Sequence, residues 1–338
     1  MPILVTGATG FIGSQICRAL VAGGQPVRAF HRPDSPQLAL EGLRLEHAVG
    51  DVTQPETLAA AMRGVEGVFH TAALLGRRDS SLTYAVTVDG TRNVLQAAGE
   101  AGVRRVVHTS SVAALGMPDQ IPLSREQRSG ESPASALLMD ETHTWNYRPE
   151  YWRYGHAKYL AELAVQAAVA QGLDVVIVNP AVVIGAGDLN RISGNIVVQV
   201  AQRRVPVSAP GGSNVVHIAD VVDGHLAALR RGRRGERYIL GGENLPHVQL
   251  LELIARAAGV PPPRLVLPGR LARWLAAPLS AAEKWLPLPV KGEALRRTGY
   301  YFYYDTRKAR HELGLKDARP VRQAVAEAFA WYLQQGMI

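Results

Sequence analysis

Eight residues near the amino terminus constrain this chain most: Thr6-Gly7-Ala8-Thr9-Gly10-Phe11-Ile12-Gly13. They follow a short apolar run, Pro2-Ile3-Leu4-Val5, that reads as a buried strand. They open a stretch, Phe11 to Ala22, whose apolar residues Phe11, Ile12, Ile16, Leu20 and Val21 recur at helical spacing. A glycine-rich turn between strand and helix lets backbone N–H groups approach an anion closely, and the helix N-terminus adds the positive end of its dipole. The unit therefore reads as a pyrophosphate cradle placed where a dinucleotide-binding βαβ fold needs one.

Beyond this unit the chain alternates strand and helix patterns. Strands are expected at Pro26–Phe30, Leu43–Val49, Gly67–Thr71, Arg105–Thr109 and Leu173–Val178, and helices at Glu56–Met62, Thr87–Glu100 and Tyr154–Ala170. This order predicts an α/β fold, a Rossmann-type doubly wound parallel sheet with a smaller C-terminal lobe. Residues 1–180, with parts of 210–240, are expected to form the nucleotide-binding domain. Residues 181–338 would form mainly the substrate-binding lobe. Met117 to Glu150, rich in Pro, Ser, Glu and Arg, reads as a long loop, a kind of segment that usually serves function. Gly269 to Leu288, with Trp274 and Trp285, reads as a cap over an apolar pocket rather than a membrane-surface helix, because Pro278 and Pro287 interrupt it. Val321 to Tyr332 reads as a closing amphipathic helix.

Composition narrows the class. With 47% hydrophobic and 20% charged residues among 338, the chain can bury a sizeable core. The single Cys17 permits no internal disulfide and no Cys-rich zinc site, so a reducing, cytoplasmic setting is expected. No basic-then-apolar leader and no run of about eighteen apolar residues stands out. The net charge of +8 collects in arginine runs such as Arg230-Arg231-Gly232-Arg233-Arg234. A solvated basic face, or attraction of a phosphate-bearing cofactor, is expected in place of specific nucleic-acid binding.

The chemistry centres on Tyr154-Gly155-His156-Ala157-Lys158, which puts a phenol and an ammonium four residues apart on one helix face. A neighbouring cation favours the phenolate, so Lys158 is expected to bring Tyr154 toward neutrality for proton transfer at a substrate oxygen. Thr109-Ser110-Ser111 ends the preceding strand, on the edge that faces the ligand crevice of a doubly wound sheet. Tyr304 and Lys308 repeat the spacing and read as ordinary surface residues. His217, Asp220, Asp223 and His225 match no common ligand pattern, so no metal is expected. His156 should face solvent. Trp145, Tyr151 and Trp152 precede Tyr154; Trp145 and Trp152 are the expected walls of an apolar or ring-shaped substrate pocket.

Taken together, these motifs resemble the extended short-chain dehydrogenases/reductases of the NAD-dependent epimerase/dehydratase superfamily. The resemblance leans to the dihydroflavonol-reductase and 3β-hydroxysteroid-dehydrogenase-like branch, including the hopanoid-associated sugar epimerase group. It also rests on Gly50-Asp51-Val52, His70-Thr71-Ala72-Ala73, Val88-Asp89-Gly90-Thr91-Arg92-Asn93-Val94, Asn179-Pro180-Ala181-Val182-Val183-Ile184-Gly185 and Val216-His217-Ile218-Ala219-Asp220. Tyr304-Asp305-Thr306-Arg307-Lys308-Ala309 is a landmark of the same kind.

The resemblance implies Tyr154 as general acid/base, Lys158 on the nicotinamide ribose and Ser111 on the substrate oxygen. Ser110, Pro180 and Val183 would border the nicotinamide. Asp51 and Val52 would flank adenine, and Ala72 and Ala73 would pass beside the cofactor's middle. Gly7, Thr9, Gly10, Phe11, Ile12 and Gly13 would hold the pyrophosphate. One departure stands out: Thr87 occupies a position where many relatives carry Asn. Relatives are often dimers, so a homodimer is an open possibility.

The second expected strand ends Ala29-Phe30-His31-Arg32, with no acid before Asp34. A carboxylate there would accept from the 2′-hydroxyl of NAD, whereas the Arg32 guanidinium suits a 2′-phosphate. NADP(H) is therefore favoured, with NAD(H) the alternative. The reading is a carbonyl/secondary-alcohol oxidoreductase acting on a small-molecule substrate. Gly212-Ser213-Asn214-Val215-Val216-His217 lacks the arginine that nucleotide-sugar relatives commonly carry there, which tilts against an epimerase or dehydratase. A non-catalytic NADP(H) sensor would have no need of an activated phenol.

Overall fold

The computed structural model describes residues 1–75, 80–119, 138–263, 265–282 and 295–338. Trp285 and most of the expected loop between Met117 and Glu150 lie outside them. The main sheet contains β1 (Ile3–Thr6), β2 (Val27–His31), β3 (Glu46–Val49), β4 (Gly67–His70), β5 (Arg105–Thr109) and β6 (Val175–Pro180). A seventh strand, Arg237–Leu240, joins beside β6 from the second half of the chain, directly after the helix Ile218–Arg231. From one edge to the other the order is Arg237–Leu240, β6, β5, β4, β1, β2, β3, and every pairing is parallel.

Strand order reverses between β1 and β4, which opens a crevice at their carboxyl ends. Thr6 pairs with His70 in that register, so Gly7 and Thr71 leave the sheet side by side. Both faces of β4 and β6 are buried, as parallel sheets with helices on each side require. One face packs under α1 (Phe11–Ala22) and the helix Ile218–Arg231, around Ile16, Phe69, Val178 and Tyr238. The other packs under α2 (Pro55–Met62), α4 (Gly90–Glu100) and α5 (Arg153–Ala170), around Leu4, Phe30, Met62 and Ile177.

The pattern over Thr87–Glu100 predicts one regular helix. Instead α3 (Ser80–Tyr84) runs into a wide π-helical segment, Ala85–Asp89, before α4 begins. Thr87 is buried within it, and the Thr91 hydroxyl donates to the Thr87 carbonyl at 2.6 Å. Such wide turns commonly accompany functional sites.

A second sheet builds the far side of the crevice. Its central strand, Gly212–His217, pairs antiparallel with Glu243–Pro246 and parallel with Val182–Ile184 and Tyr301–Phe302. A separate core around Val197, Leu250, Ile254 and Tyr332 holds helices Asn195–Ala201, His247–Ala257 and Val321–Gln334 together.

Candidate active site

The glycine turn is built for close approach. Gly7 has φ +67°, and a Cβ there would come 2.8 Å from the Ala72 nitrogen. A Cβ on Gly13 would lie 2.3 Å from the Gly7 carbonyl oxygen and 2.7 Å from Thr71 Oγ1. Both are contacts a side chain cannot make, so only glycine fits. Gly10 caps α1 without any side-chain hydrogen bond, which leaves the first-turn N–H groups for a ligand. A dinucleotide's phosphates fit this cradle, since backbone and dipole both suit an anion. Gly7, Gly10, Phe11, Ile12 and Gly13 all line a cavity of about 950 Å3.

An adjoining hollow of about 230 Å3 continues the cleft past Thr9, Arg32, Asp51, Val52, Ala72 and Ala73. The Arg32 side chain is 50% exposed and borders this hollow, its Nε 3.6 Å from Asp34 Oδ1. Asp51 Oδ1 accepts from the Thr53 backbone N–H at 2.9 Å and from its hydroxyl at 2.8 Å. That turn holds the strand end open beside Val52.

Ser110, Ser111, Tyr154, Pro180 and Val183 stand on the large cavity's wall. The Tyr154 phenol is half-buried, with Ser111 as its polar neighbour. Ser111 Oγ also accepts from the Ala113 N–H at 3.2 Å, so it caps a 3-10 turn and faces the phenol at once. Lys158 sits beneath this wall, only 2% exposed, and Nζ donates to the Thr109 carbonyl at 2.8 Å. The expected lowering of the phenol by Lys158 is absent. Burial pushes Tyr154 up to about 12, against a smaller downward pull from the Ser111 hydrogen bond. Burial also pulls Lys158 down to about 8, with Glu162 pulling it back up. In this arrangement Tyr154 holds its proton at neutral pH.

Sequence reasoning misses Glu162, although Tyr154, Lys158 and Glu162 follow one another at intervals of four and share a helix face. It is buried, and its Oε1 accepts from the Ser110 hydroxyl and from Asn179 Nδ2, the latter at 2.6 Å. Its Oε2 lies 3.3 Å from Arg237 Nε on the seventh strand. Asn179 Nδ2 also donates to the Ser111 carbonyl at 3.0 Å. Glu162 thus ties the ends of β5 and β6 to α5 beneath the reacting groups.

The second sheet supplies the opposite wall. Phe302 and Leu295 are its apolar part and Ser213, His247 and Arg297 its polar part, while Trp152, from the same stretch as Tyr154, meets Phe302 edge-on with ring centres 5.8 Å apart. Trp145 is not among the residues lining the cavity. It stands behind Trp152, with ring centres 6.0 Å apart, and stacks on Tyr159 at 6.1 Å, so it packs the loop onto α5. Tyr304 is a correction too: it is buried and lines the cavity, while Lys308 turns away to Glu236 at 2.7 Å. His156 is partly exposed, and its Nδ1 lies 2.9 Å from the Tyr84 hydroxyl.

His217 and His225 are spent within the fold, the first on Glu327 at 2.9 Å and the second on Thr109 at 2.9 Å. Asp220 and Asp223 both pair with Arg319. No group of three metal-ligating side chains occurs among the described residues. Nor is any described helix long and apolar enough to cross a membrane.

Comparison with known proteins agrees with this geometry. Over its full length the chain is 36% identical to sterol demethylase protein B of Methylococcus capsulatus, covering all of that protein. It is 27% identical to a 3-beta-hydroxysteroid dehydrogenase of Mycolicibacterium neoaurum, over 98% of this chain and 91% of that one. The crystal structure of gox2253 superposes with a TM-score of 0.84 at 34% identity, covering 100% of this chain and 99% of the other. Residues 3–241 match the NAD dependent epimerase/dehydratase family. The chain, an enzyme of the NAD(P)-dependent oxidoreductase kind, belongs to that family.

Proposed function

We propose that the protein is an NADP(H)-dependent oxidoreductase that interconverts a carbonyl and a secondary alcohol on an apolar or ring-bearing substrate. One observation carries the reading: the Tyr154 phenol and the Ser111 hydroxyl stand on the wall of the same cavity as the glycine turn. When bound, the nicotinamide supplies or accepts hydride at the substrate carbon. Every other part falls to the chain. Ser111 and Tyr154 fix the substrate oxygen; Tyr154, protonated at neutral pH, gives its proton to the developing alkoxide. Lys158 holds positive charge beneath the phenol and would reach the nicotinamide ribose by leaving the Thr109 carbonyl. Ser110, Pro180 and Val183 border the ring site. The glycine turn with Thr9 holds the phosphates, while Asp51, Val52, Ala72 and Ala73 border the rest of the dinucleotide.

Arg32 supports NADP(H) over NAD(H), because its guanidinium borders the hollow and suits a 2′-phosphate, and no carboxylate of β2 competes for the ribose. Trp152, Phe302 and Leu295 support an apolar substrate. Two relatives carry sterol and hydroxysteroid in their names, which fits that surface.

A nucleotide-sugar epimerase or dehydratase on the same site is the second reading, favoured by Arg297 on the cavity wall. Its guanidinium, however, lies 4.5 Å over the Trp152 ring and is already engaged there.

Purified protein incubated with NADPH or NADH and a panel of fused-ring ketones, then with nucleotide sugars, separates the readings. Ketone-dependent oxidation of NADPH is the expected result. Turnover of a nucleotide sugar without net cofactor oxidation would overturn it.

A further inference from the structure

The large cavity and the hollow beside it share part of their walls. Gly7, Gly10, Arg32 and the segment after β4 line both spaces, and from the rest of the described chain only Asn190 does so. Asn190 belongs to the loop that joins strand Val182–Ile184 to helix Asn195–Ala201. Its side chain is exposed.

Asp188 holds that loop in one shape. The residue is fully buried. Its Oδ1 accepts from the Ile192 N–H at 2.9 Å, and its Oδ2 from the Ser193 and Gly194 N–H groups at 3.1 and 3.0 Å. Its carbonyl accepts from the Arg191 N–H at 3.0 Å and from the Tyr332 hydroxyl at 3.2 Å. Asn190 lies inside the ring that these bonds close. Arg191 takes φ +50°, a left-handed conformation that a residue with a side chain keeps only where its surroundings hold it. Glycines seat the loop at both ends. A Cβ on Gly187 would run into Gln15 Nε2 of α1, and one on Gly194 into the Tyr332 hydroxyl. The loop is thus fixed against the helix that follows the glycine turn, and Asn190 is presented by rigid backbone.

A dinucleotide with its adenosine end at Asp51 and Val52 and its nicotinamide end at Tyr154 must occupy both spaces. Its pyrophosphate, held by the glycine turn, then falls at the part they share. Phosphate oxygens only accept, and the Asn190 amide is a neutral donor. We infer that Asn190 is a cofactor-binding residue that donates to the pyrophosphate, and that Asp188 is the positioning residue that sets its loop. The inference rests on the dinucleotide reading of the cleft and adds to it a contact from outside the nucleotide half. The pyrophosphate is common to NADPH and NADH, so Asn190 holds both alike, while Arg32 chooses between them.

Cofactor binding tests this without requiring turnover. NADPH and NADH are each titrated calorimetrically into the wild-type protein and its variants. Asn190→Ala should weaken both by about tenfold, the scale of one hydrogen bond to a charged group. Asn190→Asp keeps the size but sets a negative charge against the phosphates, and should weaken both further. Asp188→Asn keeps the shape but presents an N–H2 to backbone N–H groups, so the loop is released and both cofactors should weaken as in Asn190→Ala. In the double variant of Asp188→Asn with Asn190→Ala the losses should not add, because one contact is removed twice. A purely structural Asp188 would give losses that add. Unchanged affinity in Asn190→Ala, wild-type affinity in Asn190→Asp, a loss confined to NADPH, or full additivity in the double variant overturns the inference. Should Asp188→Asn fail to fold, the two Asn190 variants decide alone. Wild-type protein that binds neither cofactor would overturn the dinucleotide reading itself, and the inference with it.

Discussion

The Lys158 ammonium donates to the Thr109 carbonyl at 2.8 Å, which anchors the helix that carries Tyr154 to the end of β5. Around it stand Tyr154 and Glu162 on its own helix, His108 and His70 on the sheet, and Arg237 beyond Glu162. His70 and His108 are both held neutral by burial, with ring centres 5.3 Å apart. Glu162 is therefore the group whose charge keeps Lys158 cationic.

Removing that charge has a calculable sign. Lys158 is protonated below about 8 and loses its charge as pH rises through that value. Glu162→Gln removes the influence that raises it, so the loss begins at lower pH. The alkaline limb of the kcat/KM profile should move to lower pH, because the nearby carboxylate favours the charged ammonium. A pH–rate series on wild type and variant checks this. A purely packing role for Glu162 would lower the whole profile and leave its limbs in place.

Tyr154→Phe should lower kcat by about 100-fold or more, the usual scale of general acid catalysis, while NADPH affinity stays within a factor of about two. Steady-state kinetics with a cofactor titration by fluorescence measure both. Full activity in the variant would sink the mechanism.

Arg32→Ala should weaken NADPH by about tenfold or more and leave NADH nearly unchanged, because a charge-assisted hydrogen bond to phosphate is what it removes. Calorimetric titration of both cofactors decides. Equal weakening would assign Arg32 to stacking on adenine.

Gly13→Ala should abolish cofactor binding and lower the melting temperature. Its Cβ would sit 2.3 Å from the Gly7 oxygen, backbone that cannot yield cheaply. The strain costs about 1–3 kcal/mol on the scale of overpacked sites. Gly23→Ala is the control, because the nearest atom to its Cβ would be 3.4 Å away. Thermal denaturation with and without NADPH compares the two.

Local pattern is enough to read the nucleotide half. Strands β1, β2, β4, β5 and β6 are recognisable because each is a short apolar run bounded by turn residues. Helix α1 is legible from Phe11 to Ala22, its observed range, because its glycines and its 3.6-residue periodicity agree. The π-helical widening at Thr87 is not visible, because no residue there breaks a helical pattern. The seventh strand enters from Arg237–Leu240, a segment whose partner, β6, lies about sixty residues earlier. Tyr304 reads as surface because distance along the chain says nothing about distance across the crevice.

Residue types at short spacing determined the phosphate cradle, the Tyr154 and Lys158 pair, and the edge of the sheet on which they work. Those depend on backbone conformation within a few residues, which sequence dictates directly. Whether Lys158 lowers the Tyr154 phenol, whether Trp145 or Trp152 lines the cavity, and whether Tyr304 reaches it were decided only in the folded chain. Each turns on burial and on which hydrogen-bond partner wins. Those are settled by groups such as Thr109 and Tyr159 that packing, not sequence proximity, brings into contact.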